Sequence, residues 1–221
     1  MNYQKLKQQL GKIKHCPIFY LKKPGCSRST KLFPVINHLQ TSQKYLIISS
    51  DPSGDTDKTK GPNIPHSDFS LRFLALIFFG NDTITETVVV FKNYSELNKI
   101  YRKHFYWTHY HKCYAQGNPN NFCAKKYLIS EIQLFNPQLI LSIGSKPVDF
   151  LLGKQKLKNR INRILNYNGV PLIASLHPSK NWNLSRRTEF SFTETWRLIR
   201  RNIQFDEEDY LFLHCFKEFK L

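Results

Sequence analysis

Three runs in this chain, "YLIISS" (45–50), "QLILSIG" (138–144) and "VPLIASL" (170–176), are almost wholly apolar and too short to be helices. They lack the alternation of a strand that is wet on one face, so they read as strands buried on both faces, the habit of a parallel sheet. Parallel neighbours need long crossovers, and the segments between the runs supply them. "SDFSLRFLALIFFG" (67–80) has Ser67 as an N-cap, apolar residues at helical spacing and Gly80 as a stop. "SELNKIYRKH" (95–104), "NNFCAKKYLISEIQLF" (120–135), "SKPVDFLLG" (145–153) and "SFTETWRLIRRNI" (191–203) are further helices, the last with Arg197, Arg200 and Arg201. "FYWTHYHKC" (105–113) is aromatic and β-prone and adds a strand, while "TETVVVFKN" (85–93) reads as a strand or the edge of an insertion. The alternation predicts an α/β fold: a three-layer α/β/α sandwich with a mostly parallel central sheet of about four strands.

At 221 residues the chain makes one domain, 1–221. Residues 1–43 form an irregular basic N-terminal segment with a short helix over 2–14, and residues 202–221 a C-terminal extension. The acids Asp206 to Asp209 in that extension read as a solvated face. No apolar run is long enough to span a bilayer and no signal-peptide pattern opens the chain, so no membrane partner is expected. The expected location is cytoplasmic, at the nucleoid, or nuclear, and the expected state a monomer. Thirty-three Lys and Arg against sixteen Asp and Glu give a formal charge of +17, spread along the chain, which favours a nucleic acid as partner. Five cysteines, an odd count, do not form a disulfide framework; they are free thiols, metal ligands or both.

The polar residues that follow the strands carry the chemistry, because the loops of an open α/β sheet meet at the carboxyl ends of its strands. The first strand runs into Asp51-Pro52-Ser53-Gly54, the second ends near His109, the third opens a helix at Gly144-Ser145-Lys146, and the fourth gives His177-Pro178-Ser179-Lys180. Each has a plain reading as well: Asp51-Pro52 as a turn, His177-Pro178 as a loop. The two histidines of "HYH" with Cys113 and Cys123 nearby suggest zinc, but without zinc-site spacing.

In this order, "SSDPSG", "THYHKC", "GSKP" and "HPS" resemble the motifs of the uracil-DNA glycosylase superfamily, over about Lys44 to Arg201. "KC", "C-x-x-x-Y-L-x-x-E-I" and "P-x-L-I-L-S-I-G" look most like its iron–sulfur branch. The resemblance implies a DNA glycosylase acting on single- or double-stranded DNA, most simply on uracil. Asp51 then orients a water and supports the cationic sugar, and His177 faces the departing base. Gly144, Ser145, Lys146, Ser179 and Lys180 would contact phosphates, Ser53 and Gly54 would let DNA come close, and Cys16, Cys26, Cys113 and Cys123 would hold a [4Fe–4S] cluster. With Pro52 lining the base pocket, Asn63 stands where a stacking Phe is usual, and His109 replaces the base-reading Asn. Neither Gln nor Glu precedes Asp51. These departures leave open a non-catalytic DNA-binding relative; a phosphoesterase finds no carboxylate cluster to hold Mg²⁺.

Overall fold

The computed structural model describes residues 2–14, 39–50, 68–112, 124–178 and 192–216. Five strands, β1 (Tyr45–Ser49), β2 (Phe105–His109), β3 (Leu139–Ile143), β4 (Ile164–Tyr167) and β5 (Val170–Ser175), form one sheet in the order β2-β1-β3-β5-β4. Every pairing is parallel except that of β4 with β5. This is the three-layer architecture expected from the sequence, widened by one antiparallel edge strand. That strand was legible: Asn168-Gly169 is the dipeptide of a two-residue hairpin, and both residues have positive φ, 51° and 87°.

The eight α-helices among the described residues are α1 (Tyr3–Lys14), α2 (Asp68–Phe79), α3 (Ile84–Lys92), α4 (Tyr94–His104), α5 (Ile129–Phe135), α6 (Ser145–Leu152), α7 (Phe192–Arg201) and α8 (Glu207–His214). A π-helical turn, Ala124–Leu128, leads into α5. The connection from β1 leads outward to β2, while those from β2 and β3 run the other way. Right-handed crossovers then place the two sets of helices on opposite faces. One layer buries Phe73, Val90, Leu97, Ile100, Trp196 and Leu213 from α2, α3, α4, α7 and α8 against Tyr45 and Ile47. The other buries Leu6, Ile132, Phe135 and Val148 from α1, α5 and α6 against Leu46 and Ile48. Alternate residues of β1 thus serve opposite cores and all four are at most 2% exposed, which explains the unbroken apolar run.

The segment 85–93, expected as a strand or the edge of an insertion, falls in the helix α3. Its valines are β-branched, but Thr83-x-x-Glu86 has the sequence form of a helix start; in the structure Thr83 Oγ1 donates to the Glu86 carboxylate and no side chain caps the backbone. The helical period was hidden because the helix is apolar on both sides: Val90 is buried whereas Ile84 is 83% exposed. The acids of the tail are not simply solvated either. Asp209 is buried and accepts from His104 Nε2 at 2.7 Å and Lys103 Nζ at 2.8 Å, and Lys103 also reaches Asp206 at 3.1 Å. Lys44 adds a fourth contact, to Asp206 at 3.3 Å. These bonds fasten α8 to the end of α4. Hydrogen bonds from Lys103 first, and then from Lys44, hold the Asp206 carboxyl below its ordinary value despite some desolvation.

Candidate active site

The site lies beyond the carboxyl ends of β1, β2, β3 and β5. After β1 the chain turns toward the layer of α2, and after β3 toward the layer of α6. The crevice between β1 and β3 is therefore the topological switch point, where open α/β sheets bind their ligands.

The two sides of that crevice touch. Ser49 and Ser50 carbonyls accept from Tyr110 N at 2.8 Å and His111 N at 2.9 Å, so the β1–β2 pairing continues past both strand ends. Gly144 N donates to Ser175 O at 2.8 Å, tying β3 to the end of β5. Gly144 has φ +90°, and a Cβ there would lie 3.2 Å from Ser50 Oγ. Only glycine takes that conformation without strain and leaves that space. This close approach fixes Ser50, the last described residue before Asp51, against the end of β3.

At the N-terminus of α6, Ser145 and Lys146 present backbone N–H groups, followed by Pro147, which has none. The first turn contains no acid. This is an end suited to an anion.

His109 is the last residue of β2 and is 6% exposed. Its ring is stacked with Trp107 at 6.0 Å and 23°, and Trp107 is stacked in turn on Phe73 of α2 at 4.8 Å. Trp107 Nε1 donates to Ser49 Oγ at 2.9 Å, so the serine that stands in the first motif gives the indole its buried partner. Burial chiefly, then the charge of Lys112 and the nearness of His177, push the His109 pKa down to about 3. The imidazole is neutral at any ordinary pH and offers one donor and one acceptor. His177 lies two residues past β5, at the same rim of the sheet, and is near enough for its charge to bear on His109.

The opposite face of β2 carries a network absent from the sequence reading. Glu131 of α5 is fully buried and accepts from Tyr106 Oη, from Thr108 Oγ1 at 2.9 Å and from Lys112 Nζ; Lys112 also donates to Thr108 Oγ1 at 2.5 Å. Burial first, and then the carboxylate, push the Tyr106 phenol well above its ordinary pKa. The ion pair clamps the chain three residues past His109 to the helix that follows. Its signal was in the motifs themselves, since Lys112 is the K of "KC" and Glu131 the E of "E-I".

Asp51, Pro52, Ser53, Gly54, Asn63, Ser179, Lys180 and the cysteines Cys16, Cys26, Cys113 and Cys123 lie outside the described residues. Among the described residues the group with ligand-like spacing is His104, Asp206 and Asp209, near the start of β2 and so at the other end of the sheet. Lys103 already donates to both of its carboxylates, which makes it an ion-pair cluster and not a metal centre. No single described helix is long and apolar enough to cross a membrane.

A search of curated proteins finds no match to the chain. The family model described as the uracil DNA glycosylase superfamily matches residues 36–200, which take in all five strands and every strand end described above. The match spans most of the chain and agrees with a parallel sheet whose polar residues meet at one rim: the chain belongs to the uracil DNA glycosylase superfamily.

Proposed function

We propose that this protein is a DNA glycosylase that takes a deaminated base, uracil first, out of DNA and hydrolyses its N-glycosidic bond. The observation that carries the reading is that His109, His177 and the Gly144–Ser145 turn all lie at the strand ends around the crevice between β1 and β3, and Asp51 is the second residue after β1 in sequence. Breaking the bond develops positive charge on the sugar and negative charge on the leaving base. Asp51 answers the first by orienting a water and facing the sugar, and His177 answers the second by donating to the departing base. His109, held neutral, reads the base edge through one nitrogen where an asparagine would use two groups. Pro52 and Asn63 line the base. Ser53, Gly54, Ser179, Lys180 and the α6 terminus with Lys146 take the flanking phosphates.

The structural staple of this reading is a [4Fe–4S] cluster on Cys16, Cys26, Cys113 and Cys123. Supporting it, the residues that flank the second pair, Lys112 and Ala124, are both buried, with Ala124 in the layer of α5. Bound iron and a broad visible absorbance, lost in Cys113→Ser, are the expected signs.

The test is strand cleavage by alkali after incubation with oligonucleotides that carry uracil, hypoxanthine or xanthine. Abasic sites should form on at least one, about a hundredfold more slowly with Asp51→Asn or His177→Ala. A rate untouched by Asp51→Asn would reduce that loop to a turn. A second reading, a DNA-binding relative without base chemistry, is favoured by His109 in place of asparagine. It predicts binding with no abasic sites on any of the three.

A further inference from the structure

The connection from α6 to β4, residues 153–163, belongs to none of the site's loops, yet it carries the densest run of positive charge in the described structure. Lys154, Lys156, Lys158, Arg160 and Arg163 fall within ten residues that contain no acid. They divide by direction. Arg160 is buried, donating to the carbonyls of Val148, Leu152 and Gly153 at 3.3, 3.2 and 2.8 Å and to Gln155 Oε1 at 3.0 Å. It closes the C-terminus of α6, whose last carbonyls need donors. Ile161 is buried beside it, and Leu157 packs on the core of that layer. The exposed side chains from Lys154 to Arg163 are Lys154, Gln155, Lys156, Lys158, Asn159, Asn162 and Arg163, all cations or carboxamides. None of the four exposed cations has a carboxylate partner among the described residues.

Such a set, fixed on a clamped backbone, is rich in hydrogen-bond donors and suits phosphate oxygens. Its position suits them too. Ile164 pairs with Ile173, so Arg163 enters the sheet about three residues, roughly 10 Å, before the level of His177. At about 3.4 Å per nucleotide along one strand, that is the distance to a phosphate some three nucleotides away.

We propose that Lys154, Lys156, Lys158 and Arg163 form a second DNA-contact surface, which holds the backbone of the duplex flanking the nucleotide at the crevice. This rests on the glycosylase reading for the identity of the polyanion, but not for the chemistry. The competing use of such charges is to guard an edge strand from pairing with other chains. Guarding charges belong on the strand, however, and β4 itself, "ILNY", has none.

The test is the slope of log affinity against log salt for an undamaged duplex. A variant with all four cations changed to glutamine is compared with a control that changes Lys5, Lys7, Lys92 and Arg201, also exposed, to glutamine. Each lost phosphate contact should lower the slope by about 0.9. The expected fall is therefore about 2 to 4 for the first variant and under 1 for the control. Single changes should rank Arg163→Gln above Lys154→Gln, because Arg163 is nearest the rim. Equal falls in both variants, or none in the first, overturn the surface, whatever base release is seen. A selective fall without release of any base upholds the surface and sinks the glycosylase chemistry instead.

Discussion

The ion pair between Lys112 and Glu131 invites a perturbation whose size follows from its surroundings. Their side chains are 3% and 1% exposed, so neither charge can turn to water if its partner goes. Breaking such a pair from one side costs about 3–5 kcal/mol, most of it the penalty on the charge left behind. Glu131→Gln is the cleanest single change: the amide oxygen still accepts from Tyr106 and Thr108, but the ammonium keeps no counter-charge. It should cost about 3–5 kcal/mol. Lys112→Met leaves the carboxylate with two hydroxyl donors and should cost somewhat less, about 2–4 kcal/mol. Together the two changes remove both charges and keep the volume, so the double variant should fall within about 2 kcal/mol of the wild type. Urea unfolding followed by circular dichroism measures all three, and the double-mutant cycle isolates a coupling of at least about 2 kcal/mol. Total stabilities of about 5–15 kcal/mol leave room to measure the single variants. Two single changes below about 1 kcal/mol that simply add would refute the clamp.

His109 sets a pH signature. Its folded pKa, about 3, is depressed below the ordinary 6.5, so the unfolded chain takes the proton first. Its contribution to stability is complete above pH 6.5 and is lost as pH falls toward 3, amounting to about 2 kcal/mol between pH 7 and 5. His109→Gln should flatten the stability curve by that amount over that range, read from urea midpoints against the wild type; an unchanged curve would refute the assignment. Gly144→Ala places a Cβ at positive φ and 3.2 Å from Ser50 Oγ, so it should cost about 1–3 kcal/mol and slow any base release. Normal melting temperature and rate would show that the approach of β1 and β3 is loose.

The layers were legible because burial on both faces writes itself into a strand. Leu46 and Ile47 face different cores and both must be apolar, so β1 and β3 could be read without a partner in view. Strand β4 and helix α3 were missed for different reasons. The edge strand has one wet side and only four residues, and its clear mark was the Asn168-Gly169 turn. In α3 the β-branched valines pointed to a strand or the edge of an insertion, but packing on α2 and α4 outweighed that propensity.

For the candidate site, the sequence showed which residues stand at the strand ends but not the contacts that surround them. His109, Gly144 and His177 follow strands, and the strand order then places them at one rim whatever their side chains do. What holds His109 still is spread over three elements: Trp107 and Lys112 around β2, Phe73 on α2, and Ser49 on β1. No spacing rule links those positions, since they meet only when the sheet forms. The same supports give the histidine its chemistry. An asparagine at this position would keep its donor and acceptor in any surroundings. An imidazole does so only if kept from protonation, and the apolar stack and the nearby ammonium do that. The departure from the family's usual residue is therefore accompanied by the environment it needs. That neutral state is the condition which the base-reading role proposed for His109 requires.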